Sequence, residues 1–206
     1  MRNNTLKITA AGLFAAMITI MTAYICHIPY GANGGYIHFG DALIYLGAVF
    51  LPRPYALAAA AIGGGMADLL TAPMWAPATI IIKMLITLPF TSREGRIMAP
   101  RNIAAPFIAA VISAAGYYLA EGILFGSFVA PLASLAGSAV QSGGSAVIFL
   151  ALAAAGGTLS TGPILLALAL RSVGSAFHSP CIQAVTPLLA PPDALSRCAG
   201  WSQGIQ

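Results

Sequence analysis

The sequence predicts an all-α integral membrane protein, a bundle of six transmembrane helices with an extra C-terminal segment. Three observations carry that expectation. Only 7% of the 206 residues are charged and 59% are hydrophobic, whereas a soluble domain holds about 25% charged residues. So few charges could not cover a water-exposed surface. Apolar runs recur along the chain, and a helix of about 20 such residues crosses a bilayer. The basic residues gather in alternate turns between the runs, as they do when those turns share the cytoplasmic side.

The first run, 8–28, follows the basic start "MRNNTLK". It lacks a clear small-residue cleavage site and further apolar runs follow it, so it reads as a retained helix rather than a signal peptide. The second and fourth runs, 41–51 and 78–90, are short for a span. They are extended by polar neighbours or sit inside the bundle. Runs at 55–70, 103–124 and 128–155 complete the six. Backbone groups away from water must pair within their own segment, so helix is expected for each.

With the N-terminus in the cytoplasm, Arg2, Lys7, Arg53, Arg93, Arg96 and Arg101 fall inside, and the outer turns hold no Lys or Arg. Asp41, Asp68 and Glu121 then lie towards the outer ends of their helices. Near Gly156–Gly162 the character changes. The last segment adds an apolar stretch and then Pro180, Pro187, Pro191 and Pro192. Two parts are therefore expected, 1–155 as the membrane bundle and 156–206 as an apolar, Pro-rich tail. Cys26, Cys181 and Cys198 form no CxxC pair and no Cys/His cluster with metal-ligand spacing. No cofactor and no metal site is expected.

Polar groups near a membrane core are costly and usually functional. The stretch "NGGYIHFGDALIYLG", 33–47, sets Tyr36, His38 and Asp41 among Gly31, Gly34, Gly35 and Gly40. Glycines free the backbone to fold close to a ligand. A plainer reading makes the stretch a turn, with Asp41 favoured by the helix dipole. Lys83 lies within the fourth run, four residues after Thr79 on the same face; it lines a pocket or snorkels to the inner side. Trp75 suits a pocket wall or an interfacial anchor. Tyr117 and Glu121 share one face of the fifth run, and Ser138 and Gln141 one face of the sixth. Together these would line an outward-facing pocket with aromatic walls and a few placed polar groups, as small-molecule sites do. On the first run, Ala11 and Ala15 are four apart, as are Gly12 and Ala16. Such patches let helices approach closely, within a bundle or between subunits.

The stretch "GGYIHFGDALIYLGAVFLPRPYALAAAAIGGGMADLLTAPMWAPATIIIKMLI" resembles the substrate-binding S components of energy-coupling factor (ECF) vitamin transporters, in the branch holding riboflavin-type and hydroxymethylpyrimidine-type members. The resemblance covers about 7–155. Its specific parts are the GYIHFGD loop, the G-x-x-A-D of the third run (Gly64 to Asp68) and APATIIIK of the fourth. It implies six helices with both ends in the cytoplasm of a prokaryote, and a multi-pass protein of the plasma membrane. It implies that the first outer loop caps a pocket for a small vitamin or precursor. Gly35, Tyr36, His38 and Asp41 carry over as loop residues, with Thr79 and Lys83 from the fourth run and Gln141 from the sixth. Ser138 stands where related sequences often have Asn. The resemblance implies docking through Ala11 and Ala15 on a transmembrane coupling subunit, which works with two ATP-binding cassette ATPases. Besides these partners the expected contacts are the ligand and membrane lipid, with no nucleic acid.

From about 163 the chain is similar to a piece of a major facilitator superfamily exporter. The alternative function is therefore a fragment of such a secondary transporter. An enzyme is not expected. The sequence has no HExxH, no GxSxG and no G-x-x-x-x-G-K-[ST] phosphate loop.

Overall fold

The computed structural model describes residues 2–25, 27–30, 35–92 and 97–156. Within them the order is α1 (Arg2–Ala23), β1 (Ile28–Tyr30), β2 (Gly35–Ile37), α2 (Gly40–Phe50), α3 (Arg53–Thr71), a 3₁₀ turn (Pro73–Trp75), α4 (Ala76–Leu85), α5 (Pro100–Phe125) and α6 (Pro131–Gly156). The described part is mostly helical. Three of its helices, α1, α5 and α6, are long and apolar enough to cross a membrane, and shorter apolar helices lie among them. Cys26, Arg93, Arg96 and the segment 157–206 fall outside the described residues, as do Asn33 and Gly34 of the expected cap.

The first apolar run does not stay helical to residue 28. Helix α1 ends at Ala23, and Ile28–Tyr30 pairs antiparallel with Gly35–Ile37, Pro29 opposite Tyr36. Pro29 keeps Ile28 itself out of a helix, because the residue before a proline is pushed out of the helical region. At the sixth run the helix begins at Pro131 rather than 128, with proline suited to a first turn whose N–H groups have no helical partner. Helix α5 stops at Gly126, whose φ of 67° is left-handed and favours glycine.

Packing inverts the pattern of a water-soluble domain. Phe107, Val111, Ile123 and Val147 point outward, each more than two-thirds exposed, which suits a lipid surround. Helix α2 is the centre, buried from Gly40 to Val49, so its shortness reflects enclosure by its neighbours. Around it α1 packs on α3, α3 on α4, α4 on α5, and α5 on α6. At one end, Tyr45, Phe90 and Phe149 make an aromatic cluster with centroids 4.9 to 5.9 Å apart.

Two residues at the start of α5 tie down the turn after α4. Arg101 donates from Nε to the Pro89 carbonyl (2.7 Å) and from Nη2 to that of Leu88 (3.2 Å). Fully buried Asn102 accepts from the Thr91 N–H and donates to the Thr91 and Ile97 carbonyls. Backbone groups with no ladder partner are thereby satisfied by side chains, as burial demands.

Candidate functional site

A second set of polar side chains collects at the opposite end, where α1 finishes, α2 starts, α3 finishes, and α4 starts. Asp41 lies in the first turn of α2, where the helix dipole favours an anion. Its Oδ1 accepts from Lys83 Nζ of α4 at 2.6 Å, with the two side chains 0% and 1% exposed. Gln141 of α6 donates from Nε2 to the other oxygen, Oδ2, at 3.2 Å. The Gln141 carbonyl oxygen accepts from the His38 backbone N–H at 3.4 Å. Three helices and the exit of the β hairpin therefore converge on one carboxylate. A buried charge survives only when it is paired and hydrogen-bonded, and this one has both.

Lys83 does not snorkel. Its ammonium stays buried, 5.4 Å from the centroid of the Tyr117 ring, within range for a cation–π attraction. The Tyr117 and Thr79 hydroxyls are 2.9 Å apart and share a hydrogen bond. Trp75 stands edge-on to Tyr117 at 6.1 Å and lies 6.1 Å from Phe125. Its indole N–H is buried and has no partner in the described protein, leaving a donor available beside an aromatic wall.

The hairpin supplies the remaining groups. The Tyr36 hydroxyl donates to Asp68 Oδ1 at the end of α3. Its ring stacks on His27 at 3.9 Å and lies 5.5 Å from His38. Buried His38 accepts at Nδ1 from the Gly40 N–H, 3.1 Å away, so its proton sits on Nε2. Burial, reinforced by the Lys83 charge and opposed by Asp41, pulls the His38 pKa from 6.5 to about 3. The ring is neutral at physiological pH. Gly40 is needed here for close approach, since a Cβ would run into the Thr22 hydroxyl.

Of the residues marked from sequence, Tyr36, His38, Asp41, Trp75, Thr79, Lys83, Tyr117 and Gln141 form one connected set. Gly35 pairs with Tyr30 in the hairpin. Glu121 lies one turn beyond Tyr117 and accepts from Ser134 of α6 at 3.2 Å. Ser138 is half-buried on α6. Ala11 and Ala15 are buried, while Gly12 and Ala16 beside them are exposed. All four line an apolar groove of about 740 Å³ between α1 and α3, with Tyr55 and Ile62 on its far side. The groove holds almost no polar group to orient a small ligand, unlike the cluster around Asp41.

Sequence reasoning did not assign roles to Asp68, Thr71 and His27. Asp68 had a signal of its own, an acid inside an apolar helix. The partners of Thr71 and His27 had none, because hydroxyls and imidazoles near helix ends are common.

A family model described as "ECF-type riboflavin transporter, S component" matches residues 2–156. Shorter matches reach curated proteins. "Macrolide efflux protein A" of Enterococcus faecalis is 51% identical over 43 residues, 21% of this chain and 13% of that protein. Its Streptococcus pyogenes namesake has the same identity over 11% of its length. An "uncharacterized protein in gap 3'region" of Pyrococcus woesei is 36% identical over 63 residues, 31% of this chain and 43% of that one. The chain thus spans less than half of each of these relatives. The efflux matches support the likeness of the C-terminal segment to a major facilitator fragment.

Proposed function

Because the chain belongs to the S-component family of ECF-type riboflavin transporters, we propose that the cluster around Asp41 captures a small heteroaromatic vitamin or vitamin precursor from outside the cell. Membership makes the chain a substrate-binding subunit of a vitamin transporter rather than an enzyme. The observation that carries the ligand reading is the Asp41–Lys83–Gln141–His38 network beside the Trp75–Tyr117 wall. A planar ring suits the aromatic wall. Its ring nitrogens and carbonyls suit the donors of Lys83, Gln141, Thr79 and the Trp75 indole. Specificity in such pockets comes from a few placed polar groups.

In this reading uptake is driven by ATP hydrolysis in a partner module of one transmembrane coupling subunit and two ATP-binding cassette ATPases. The coupling subunit docks along the α1–α3 groove, where Gly12 and Ala16 are exposed beside buried Ala11 and Ala15. The residues named in the network and its aromatic wall all lie within 38–141. The alternative, a fragment of a major facilitator exporter, rests on the segment 156–206 alone.

Mass spectrometry of the protein purified in detergent is expected to find a bound heteroaromatic compound, which then rebinds saturably in titration. A folded preparation that neither carries nor rebinds any of a panel of vitamins and precursors would overturn the reading. Lys7, Arg53 and Arg101, at the starts of α1, α3 and α5, support the proposed orientation. These ends face the cytoplasm, six spans cross the membrane, and the Asp41 cluster faces outward. A thiol reagent that cannot cross membranes should therefore leave Arg53→Cys unlabelled in intact cells; labelling would invert the topology.

A further inference from the structure

We propose that Asp68, assisted by Thr71, is a positioning residue that holds the β1–β2 pair over the site through the Tyr36 hydroxyl. This rests on reading the Asp41 cluster as the ligand site.

The hairpin needs such an anchor. Each strand is three residues long, Ile28 is half exposed, and an isolated two-stranded hairpin is marginal by itself. Its described links to the helices are few. His27 stacks on Tyr36, but both belong to the hairpin region itself. The His38 N–H reaches Gln141 only at 3.4 Å, at the long end for such a bond. The Tyr36–Asp68 bond joins residues 32 apart in sequence, and hydrogen bonds to a charged acceptor are about twice as strong as neutral ones. Thr71 has one hydroxyl proton and two acceptors in reach, Tyr36 Oη at 3.3 Å and the Ala67 carbonyl at 2.9 Å. The shorter bond goes to its own helix, so Asp68 is the main partner.

The chemistry of the pair fits a durable link. Burial, and after it the Asp68 charge, push the Tyr36 phenol above its ordinary pKa, so the phenol keeps the proton it donates. Asp68 is 4% exposed, and an acid at such a place in an apolar helix calls for a purpose. The motif from Gly64 to Asp68 now has a role at each end. A Cβ at Gly64 would stand 2.7 Å from Lys83 Cγ, so glycine makes room for the ion pair. One turn later Asp68 secures the hairpin above it.

Hydrogen–deuterium exchange on the full chain without ligand tests the link directly. In Asp68→Asn and in Tyr36→Phe, the amides of 35–38 should exchange about tenfold or more faster, while α5 and α6 keep their protection. The double variant should be no faster than the singles, because they break one interaction. Unchanged hairpin exchange, additive effects, or an equal rise throughout the bundle would each overturn the proposal. With riboflavin as fluorescent probe, both variants should release ligand about tenfold or more faster with little change in association rate. If riboflavin does not bind the parent chain, the proposed ligand class fails for that vitamin, and the exchange result still decides the anchor.

Discussion

Replacing Lys83 by Met is expected to destabilise the folded bundle by about 3–5 kcal/mol, the usual result of breaking one side of a buried ion pair. Asp41 would keep its place at 0% exposure with Gln141 as its remaining side-chain donor. A carboxylate stranded in that way costs more than the pair was worth, because its hydration is not restored. The second half of the experiment separates charge from packing. Lys83→Met combined with Asp41→Asn should recover most of the loss, since the neutral amide still accepts the Gln141 N–H. Denaturant unfolding in detergent measures both. A Lys83→Met protein as stable as the parent would mean that the pair contributes nothing to the fold. Loss of ligand binding in this variant therefore needs a stability control before Lys83 is credited with a direct contact.

Stability is also expected to fall as the pH drops from 7.5 to 5.0, and more steeply than in His38→Asn. The folded pKa of His38 is about 3, against 6.5 for the free side chain. Its pKa is depressed by folding, so the associated stability is complete above about pH 6.5. Below that the unfolded chain takes up a proton that the folded one refuses. The loss runs at about 1.4 kcal/mol per pH unit until the folded ring itself titrates near pH 3. From 6.5 to 5.0 that comes to about 2 kcal/mol. Asn offers Gly40 a carbonyl where the imidazole offered Nδ1, and it does not titrate, so its variant reports the background of the other groups. Parallel pH profiles for the two proteins would show that His38 is not buried neutral.

The helical frame was legible because its signals are local. The apolar runs at 55–70 and 103–124 locate their helices to within three residues of Arg53–Thr71 and Pro100–Phe125. The enclosure of α2 could be inferred from a run too short to span alone. The hairpin was not legible. After Ala23 the chain remains apolar through Cys26, so composition does not mark the helix end, and strands of three residues carry no periodicity. The site was legible as a set of residues and illegible as a set of bonds. Asp41 and Lys83 each stood out as polar groups in apolar surroundings, but 42 positions separate them, and nothing in a single sequence says that they meet. The same holds for Tyr36 and Asp68. Lys83 had two open readings, pocket wall and snorkelling cation; the structure gives it a carboxylate partner instead of a route to water.

The three glycines of α3 have a consequence for anyone trying to harden this protein for study. Standard practice replaces helix glycines by alanine, since each exchange gains up to about 1 kcal/mol in helix propensity. Gly63, Gly64 and Gly65 look like ideal targets. Yet a methyl at Gly63 would stand 2.7 Å from Ile18 Cβ and 2.9 Å from the Ala15 carbonyl, and one at Gly65 2.7 Å from Ile80. Successive residues turn about 100° around a helix, so the triplet serves α1 on one side and α4 on the other, and no shift of α3 relieves both. At Gly12 and Gly143 the added carbon meets nothing within 4 Å among the described residues. Gly143 is the safer choice for engineering, because Gly12 lies in the groove where the coupling subunit is proposed to sit.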